Sequence, residues 1–308
     1  MKEMKYVYGP VPSRRLGISL GISPIPKKTC NYSCIYCQLG RTDHMSNRRE
    51  MFLQVREMIE EFEQVLENKT MFDVITIVGE GEPTLYAGLG DLIVEIKKRT
   101  DKPVAVITNG SLLFDPTLRG ELCYADIVSP TFDAYDEASF KRINRPHGSL
   151  SFKNLHDGLI LFSEEYSGQL WIEIMLIQGL NDDVESLNKY KLILNGIQYD
   201  RLYINTPVRP PAEKDVHAIQ TESMKRAVDV LGGISIDLLE SEGFHSEIHD
   251  HFDAILSIIR RHPMNQFEIE GFLKTRGCEE IDRLINQLKN DQRIDSVTYK
   301  GYDTYRLK

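Results

Sequence analysis

Three cysteines fall within eight residues in the segment KTCNYSCIYCQLG, which runs from Lys28 to Gly40. Cys30, Cys34 and Cys37 follow a C-x3-C-x2-C spacing, and no fourth cysteine lies nearby. Thiolates are soft ligands that suit zinc or iron–sulfur clusters. A structural zinc ion needs four protein ligands, and His44 could complete a Cys3His set. A four-iron cluster held by three cysteines instead leaves one iron free for a ligand from outside the protein.

The composition places this segment in an ordinary globular chain. The 308 residues are 41% hydrophobic and 27% charged, and they are enough for one large domain and one small one. The five cysteines are odd in number, and Cys123 and Cys278 are isolated, which argues against a disulfide framework. Because neither a run of about 18 apolar residues nor a signal peptide is readable, we expect a cytoplasmic protein without a membrane span.

The charge is distributed unevenly along the chain. The net charge is −9, yet residues 1–56 carry ten Lys or Arg against three Asp or Glu. The cysteines therefore lie in a positive segment of an acidic protein. This segment is either a solvated surface or a source of cations that offset thiolate charge or bind an anionic substrate. The candidate cations are Arg14, Arg15, Lys27 and Lys28.

Short β-branched runs alternate with longer helical patterns from Tyr6 to about Leu239, which predicts βα units on a parallel sheet. The strand candidates are Ile18–Ile22, Asp73–Gly79, Pro103–Gly110, Ala125–Asp133, Leu170–Ile177, Arg201–Val208 and Ile234–Glu240. The helix candidates are Gln54–Asn68, Gly90–Thr100, Ser151–Tyr166, Val184–Asn195 and Thr221–Gly232. Because about six units are too few for a closed eightfold barrel, we predict an α/β fold with a partial (β/α)6 TIM-like barrel. A doubly wound sheet is the alternative.

The pattern changes after Glu240. Apolar residues then recur at helical spacing in three short segments, and alternation around Lys300-Gly301 indicates a β-hairpin. We predict a barrel at 1–240, a linker at 241–251 and a small winged helix-turn-helix domain at 252–308.

This C-terminal region lacks the net positive charge that is typical of a nucleic-acid-binding domain. Residues 250–308 carry ten Lys or Arg and ten Asp or Glu, and the third predicted helix begins with Glu279, Glu280 and Asp282. Because phosphate recognition needs positive charge, DNA binding is not expected. We expect the region to pack on the barrel, to dimerise, or to hold a protein or peptide substrate.

Three further motifs follow the cysteines in order, each at the end of a predicted strand. They are GEGEPTL (Gly79–Leu85), TNG (Thr108–Gly110) and SPTFD (Ser129–Asp133). Ligands of parallel α/β proteins bind at the carboxyl ends of strands, although each motif alone is also ordinary turn chemistry. Together with the cysteine spacing and the aromatic Tyr36, these motifs resemble the radical S-adenosylmethionine (SAM) superfamily.

The resemblance implies that Cys30, Cys34 and Cys37 hold one 4Fe–4S cluster, whose remaining iron binds the amino and carboxylate groups of SAM. Tyr36 would lie near the adenine, and Glu82 would accept a hydrogen bond from the SAM amino group. The other implied SAM contacts are Gly79, Gly81, Thr108, Asn109, Ser129, Asp133, Glu173 and Asn205. An electron from a donor such as flavodoxin or ferredoxin would cleave SAM to methionine and a 5′-deoxyadenosyl radical, which abstracts hydrogen from a substrate.

Two longer segments, YGPVPSRRLGISLGI before the cysteines and INTPVRPP on a late strand, resemble a wyosine-synthase-like subgroup named after tRNA imidazoline-forming enzymes. Those enzymes carry a second cysteine cluster ahead of the barrel, whereas no cysteine precedes Cys30 here. The resemblance therefore implies an RNA nucleoside as substrate without implying wyosine chemistry, and a peptide is the alternative. Outside enzymes, the alternative is a regulator in which a zinc ion or a redox-sensing cluster controls the winged helix. No catalytic side chain is identified.

Overall fold

A computed structural model describes residues 4–236, 244, 246, 248–260, 262–299 and 302–308. The end of the last predicted barrel strand, beyond residue 236, lies outside the described residues. So do much of the predicted linker and the predicted turn at Lys300-Gly301.

One eight-stranded sheet dominates the fold. β1 (Val7–Ser13) runs antiparallel to β2 (Gly17–Ile22), and the later strands of this sheet run parallel to β2. Those strands are β5 (Val74–Ile77), β6 (Val104–Thr108), β7 (Ile127–Pro130), β8 (Gln169–Met175), β9 (Arg201–Asn205) and β10 (Ile234–Ser235). The spatial order β1-β2-β5-β6-β7-β8-β9-β10 follows the chain without the reversal that a doubly wound sheet requires. The α/β prediction is confirmed, and this mixed sheet is consistent with a partial TIM barrel.

The prediction missed β1 and therefore the mixed character of the sheet. Pro10 and Pro12 interrupt the alternating pattern of this segment, and proline within a sheet is confined to edges and bulges. β1 is such an edge strand, and its register with β2 shifts between Tyr8 and Val11.

Helices follow the strands and cover the outer face of the sheet. They are α1 (Val55–Glu67), α2 (Leu89–Lys97), α3 (Pro116–Leu122), α4 (Glu137–Ile143), α5 (Phe152–Glu165), α6 (Val184–Leu194) and α7 (Thr221–Leu231). α3 and α4 were not predicted, because seven residues are too few for a clear helical period. Their starts are nevertheless marked by capping side chains, since Asp115 and Asp136 accept hydrogen bonds from the first turn of α3 and α4. No helix of the described chain is long and apolar enough to cross a bilayer.

Side chains alternate between the two faces of the sheet. Ile75 and Ile77 pack in the main core, whereas Val74 belongs to a separate apolar cluster. The other members of that cluster are Leu16, Ala105, Ile127, Trp171, Tyr203 and Ile236. They come from consecutive strands and form an apolar layer inside the barrel, below the carboxyl ends of the strands. Because side chains repeat every second residue, Thr76, Ser129, Glu173 and Asn205 lie one row closer to the carboxyl ends.

The C-terminal module, defined here as residues 251–308, has its own core. Its elements are α8 (His251–Ile259), β11 (Met264–Asn265), α9 (Gln266–Thr275), α10 (Ile281–Asn290), β12 (Ile294–Tyr299) and β13 (Tyr302–Leu307). The strands form an antiparallel sheet in the order β11-β13-β12. Phe252, Phe272 and Tyr305 are buried in the core, and Val11 of β1 packs against it.

Candidate functional site

The cysteines lie on the loop that follows β2 at the carboxyl end of the sheet. Cys30 ends a two-residue strand, β3 (Thr29–Cys30), which pairs in parallel with β4 (His44–Met45). Cys34 and Cys37 form a turn in which the Cys37 amide donates to the Cys34 carbonyl at 3.1 Å. The Ile35 amide donates to the carbonyl of Ile143 at the end of α4. All three cysteines are free and half-buried.

Two glycines predicted as cofactor contacts lie directly against the segment that leads into the cysteines, where a side chain would not fit. A Cβ atom on Gly81 would lie 1.9 Å from the carbonyl oxygen of Thr29, and one on Gly79 would lie 2.4 Å from a methyl group of Ile25. The neighbouring Glu82 amide donates to the Thr29 carbonyl at 3.0 Å. Glycine is required at residue 81 because backbone, which cannot move aside, fills the space. The assignment of both glycines to SAM stays a prediction.

The Glu82 carboxylate is only 3% exposed and joins two of the strand-end motifs. Its Oε1 accepts from the amide and hydroxyl of Thr84 and from the hydroxyl of Thr108, at 3.0, 2.6 and 2.6 Å. Its Oε2 accepts from the Asn109 amide at 2.8 Å. Burial raises the pKa of Glu82, and these hydrogen bonds lower it in turn. A carboxylate oxygen can accept more than one hydrogen bond, so Oε2 keeps the capacity to bind an ammonium group.

The side chain of Asn109 links the TNG motif to the cysteine loop. Its Nδ2 lies 2.7 Å from Asn31 Oδ1 and 3.9 Å from the Sγ of Cys30. Asn31 is fully buried and donates in turn to Ser111 Oγ at 2.7 Å. The sequence interpretation missed Asn31, because its position between the first two cysteines carries no signal of its own.

Asp133 is the second buried carboxylate of the site. The Tyr36 hydroxyl donates to it, and so do the Asn144 side chain at 3.0 Å and the Met175 amide at 2.8 Å. Burial raises the pKa of Asp133 to about 6 despite these three donors. Asn144 also reaches the Sγ of Cys34 at 3.5 Å, so it connects the SPTFD motif to the cysteines. Asn144 follows α4, which was not predicted, and the sequence interpretation missed it as well.

Three predicted contacts lie inside the barrel. Glu173 accepts from Asn205 Nδ2 at 2.9 Å and forms an ion pair with Arg15. Burial lowers the pKa of Arg15 to about 10. One interpretation of the basic segment expected its cations to be solvated. Arg15 does not fit that interpretation, because it is paired with Glu173 inside the barrel. Ser129 is buried, and its hydroxyl has no hydrogen-bond partner among the described residues.

The donor set fits an iron–sulfur cluster better than it fits zinc. Burial raises the pKa of the thiols of Cys30 and Cys34 above its usual value, so bound iron would have to replace their protons. In the described ranges, no three His, Cys, Asp or Glu side chains are arranged around a single ion, and His44 is exposed. Structural zinc needs four donors around one ion, whereas a cluster takes one thiolate at each of three irons.

The comparison with protein families decides the identity. A family model described as the Radical SAM superfamily matches residues 25–190. The chain belongs to the Radical SAM superfamily. Its cofactors are a 4Fe–4S cluster and SAM.

Two UPF0026 proteins match this radical SAM protein over nearly its whole length. A UPF0026 protein of Methanocaldococcus jannaschii is 34% identical over 97% of this chain and 94% of its own. A UPF0026 protein of Helicobacter pylori is 34% identical over 91% and 92%. A protein named GTPase Obg from Brachyspira hyodysenteriae is 43% identical over 73% of this chain, which spans only 33% of that relative.

Solved radical SAM structures share the fold. A radical SAM methyltransferase from Sphaerobacter thermophilus superposes with a TM-score of 0.56 and 16% identity, over 71% of this chain and 68% of that one. TYW1 with a lysine-pyruvate adduct gives 0.51 and 19%, over 69% and 72%. Native anSMEcpe with bound AdoMet gives 0.52 and 17%, over 70% and 59%. At such identities the likeness extends to the fold alone.

Proposed function

We propose that this radical SAM enzyme cleaves SAM reductively at one cluster held by Cys30, Cys34 and Cys37. The observation that carries the proposal is the cysteine loop, which holds the three cysteines together and in which the thiols of Cys30 and Cys34 receive hydrogen bonds from backbone and asparagine N–H groups. A cluster held by these cysteines would pass one electron from an external donor to SAM, whose sulfonium carbon–sulfur bond would break to give methionine and a 5′-deoxyadenosyl radical able to take a hydrogen atom from the substrate.

The residues around the cysteines differ in how far their hydrogen-bonding groups are already bound by other protein groups. We propose that Glu82 Oε2, which also accepts from the Asn109 amide, accepts from the SAM ammonium group. We propose that the Ser129 hydroxyl, which has no partner in the described chain, binds a ribose hydroxyl. The carboxylates of Asp133 and Glu173 also bind protein donors, and we propose that they contact SAM while they hold neighbouring residues in position. The full set of proposed SAM contacts is Tyr36, Gly79, Gly81, Glu82, Thr108, Asn109, Ser129, Asp133, Glu173 and Asn205.

For the substrate we favour an RNA nucleoside, supported by the two segments that resemble the wyosine-synthase-like subgroup. A peptide is the second candidate, because the C-terminal module offers a docking element beside the barrel. The helix order and the three-stranded sheet of the module support a winged helix at residues 252–308, after a barrel at 1–240 and a linker at 241–251. Its α10 begins with exposed acidic residues, which disfavours DNA binding. A flavodoxin or a ferredoxin is the proposed electron donor.

Anaerobic reconstitution with iron and sulfide tests the proposal. The wild-type protein should be brown and, once reduced with dithionite, should release 5′-deoxyadenosine from SAM. Cys34→Ala should lose the cluster and this cleavage while keeping the far-UV circular dichroism of the wild type. Cys123→Ala, which removes an exposed thiol outside the cysteine loop, should retain both. A colourless wild-type protein with stoichiometric zinc, or cleavage retained by Cys34→Ala, would refute the assignment.

A further inference from the structure

The C-terminal module reaches the cysteine loop directly. Arg306 of β13 donates through Nη1 to the backbone carbonyl of Gln38 at 3.2 Å, and Gln38 follows Cys37 in the chain. Lys27, on the other side of the cysteines, donates through Nζ to the Lys308 carbonyl at 2.9 Å. The last strand of the module is thus fastened to both ends of the cysteine segment.

Arg306 also forms an ion pair beside the cysteine loop. Its Nε and Nη2 bind Oδ2 of Asp295, the residue opposite it on β12, at 3.0 and 2.9 Å. The two side chains are 23% and 38% exposed, so their charges are only partly screened by water. Lys28, whose Nζ lies 3.5 Å from Asp43, is a second cation at this corner. Arg306 lies beside the turn of Cys34 and Cys37, because the Gln38 carbonyl that it binds belongs to the residue after Cys37.

A charge beside an iron–sulfur cluster changes the free energy of reducing it. Reduction adds one electron from an external low-potential donor and makes the cluster more negative. A nearby cation stabilises the reduced form and raises the reduction potential, whereas a nearby carboxylate lowers it. Charges outside the ligand set therefore tune the electron transfer that starts the reaction.

We infer that Arg306 is a positioning residue through which the C-terminal module raises the reduction potential of the cluster. Arg306 acts through Gln38 and Cys37 and is held in place by Asp295. The inference rests on the proposed function in one respect, namely that the cluster is bound by the cysteine loop.

Redox titration of the reconstituted full-length protein, followed by the electron paramagnetic resonance of the reduced cluster, tests the inference. At low ionic strength, Arg306→Gln should lower the midpoint potential, because it removes the cation and leaves the Asp295 carboxylate unpaired. Asp295→Asn should raise the potential, because the guanidinium then keeps its charge without a counterion. Both variants break the same ion pair, so a purely structural role for it would not give shifts of opposite sign.

Two controls complete the experiment. Arg306→Lys should stay close to the wild-type potential, since it keeps the positive charge. Arg283→Gln removes an arginine of α10 that pairs with Glu280, and it should leave the potential unchanged. Added salt should shrink the shifts of the first two variants.

The outcomes separate the inference from the proposed function. A cluster whose potential is the same in all variants, or that shifts in the same direction for Arg306→Gln and Asp295→Asn, overturns the inference alone. A wild-type protein that shows no reduced-cluster signal contradicts both.

Discussion

At the scale of single residues, Gly81 determines whether the cysteine segment can lie against the end of β5. An alanine Cβ there would lie 1.9 Å from the backbone oxygen of Thr29, and backbone cannot rotate away as a side chain can. We expect Gly81→Ala to destabilise the protein by about 1–3 kcal/mol, the usual cost of overpacking, and to lower the iron bound on reconstitution. Urea unfolding and iron analysis of the same sample would measure both effects.

Gly120 offers a matched control for this substitution. It lies within α3, and a Cβ there would meet nothing within 4 Å. Alanine is the better helix former by about 1 kcal/mol, so Gly120→Ala should keep or raise stability and leave iron binding unchanged. Equal iron content and equal stability for Gly81→Ala and the wild type would show that the segment tolerates displacement at Thr29.

The sequence was enough to predict those site residues whose position follows from the order of strands in the sheet. The carboxyl ends of neighbouring parallel strands meet at one edge, and Glu82, Thr108 and Asn109 do contact one another there. It missed Asn31 and Asn144, which the structure places against the cysteine sulfurs or their neighbours. Their roles depend on contacts between segments far apart in the chain, which no local pattern encodes.

At the scale of elements, the hairpin of β1 and β2 does more than close the edge of the sheet. Its turn directs Arg15 into the barrel, where the guanidinium pairs with Glu173 of β8, and Leu16 joins the apolar layer below. The sequence predicted the cations of this turn but not their partners. A buried ion pair is weak support for stability by itself, because desolvation offsets much of the attraction between the charges.

Replacing only one member of this ion pair should nevertheless destabilise the protein. The side chains of Arg15 and Glu173 are 16% and 10% exposed, so Arg15→Gln leaves a nearly buried carboxylate without its counterion. We expect a loss of about 3–5 kcal/mol in the free energy of unfolding. The double variant Arg15→Gln/Glu173→Gln should recover part of that loss, because no unpaired charge remains. Urea unfolding of the four proteins in this cycle would measure the coupling.

A double variant no more stable than Arg15→Gln would contradict this account. Such a result would mean that the Glu173 carboxylate contributes to stability mainly through its hydrogen bond from Asn205 and not through its ion pair with Arg15.

At the scale of the whole molecule, the uneven charge along the chain becomes pairing in space. Three arginines of the basic N-terminal segment bind acidic residues from the later, acidic part of the chain. The pairs are Arg15–Glu173, Arg41–Glu213 and Arg49–Glu121. Part of the positive charge of this segment therefore holds the cysteine segment and its flanks on the barrel. Composition could reveal the asymmetry, but only the fold shows that it joins distant parts of the chain.

The C-terminal module should unfold together with the barrel, although its sequence suggested a separate domain. A module of about 60 residues has a small core, and such cores seldom stabilise a fold alone. Val11 of β1 packs against that core, and Arg209, which follows β9, binds Glu268 at 3.3 Å and His262 at 2.7 Å. The chain has a single tryptophan, Trp171, which is buried inside the barrel and reports its unfolding by fluorescence.

We expect the amides of α9 to lose protection from hydrogen exchange at the same urea concentration at which Trp171 fluorescence changes, since one cooperative unit opens as a whole. Arg209→Met removes the polar contacts of this side chain to Glu268 and His262 of the module and should separate the two transitions, with α9 opening first. Lys189→Met, which removes an exposed ion pair with Glu185 on α6, should keep them coincident. If α9 already exchanged well before the fluorescence change in the wild type, the module would be an independent domain, and its contact with the cysteine loop would be only a transient docking.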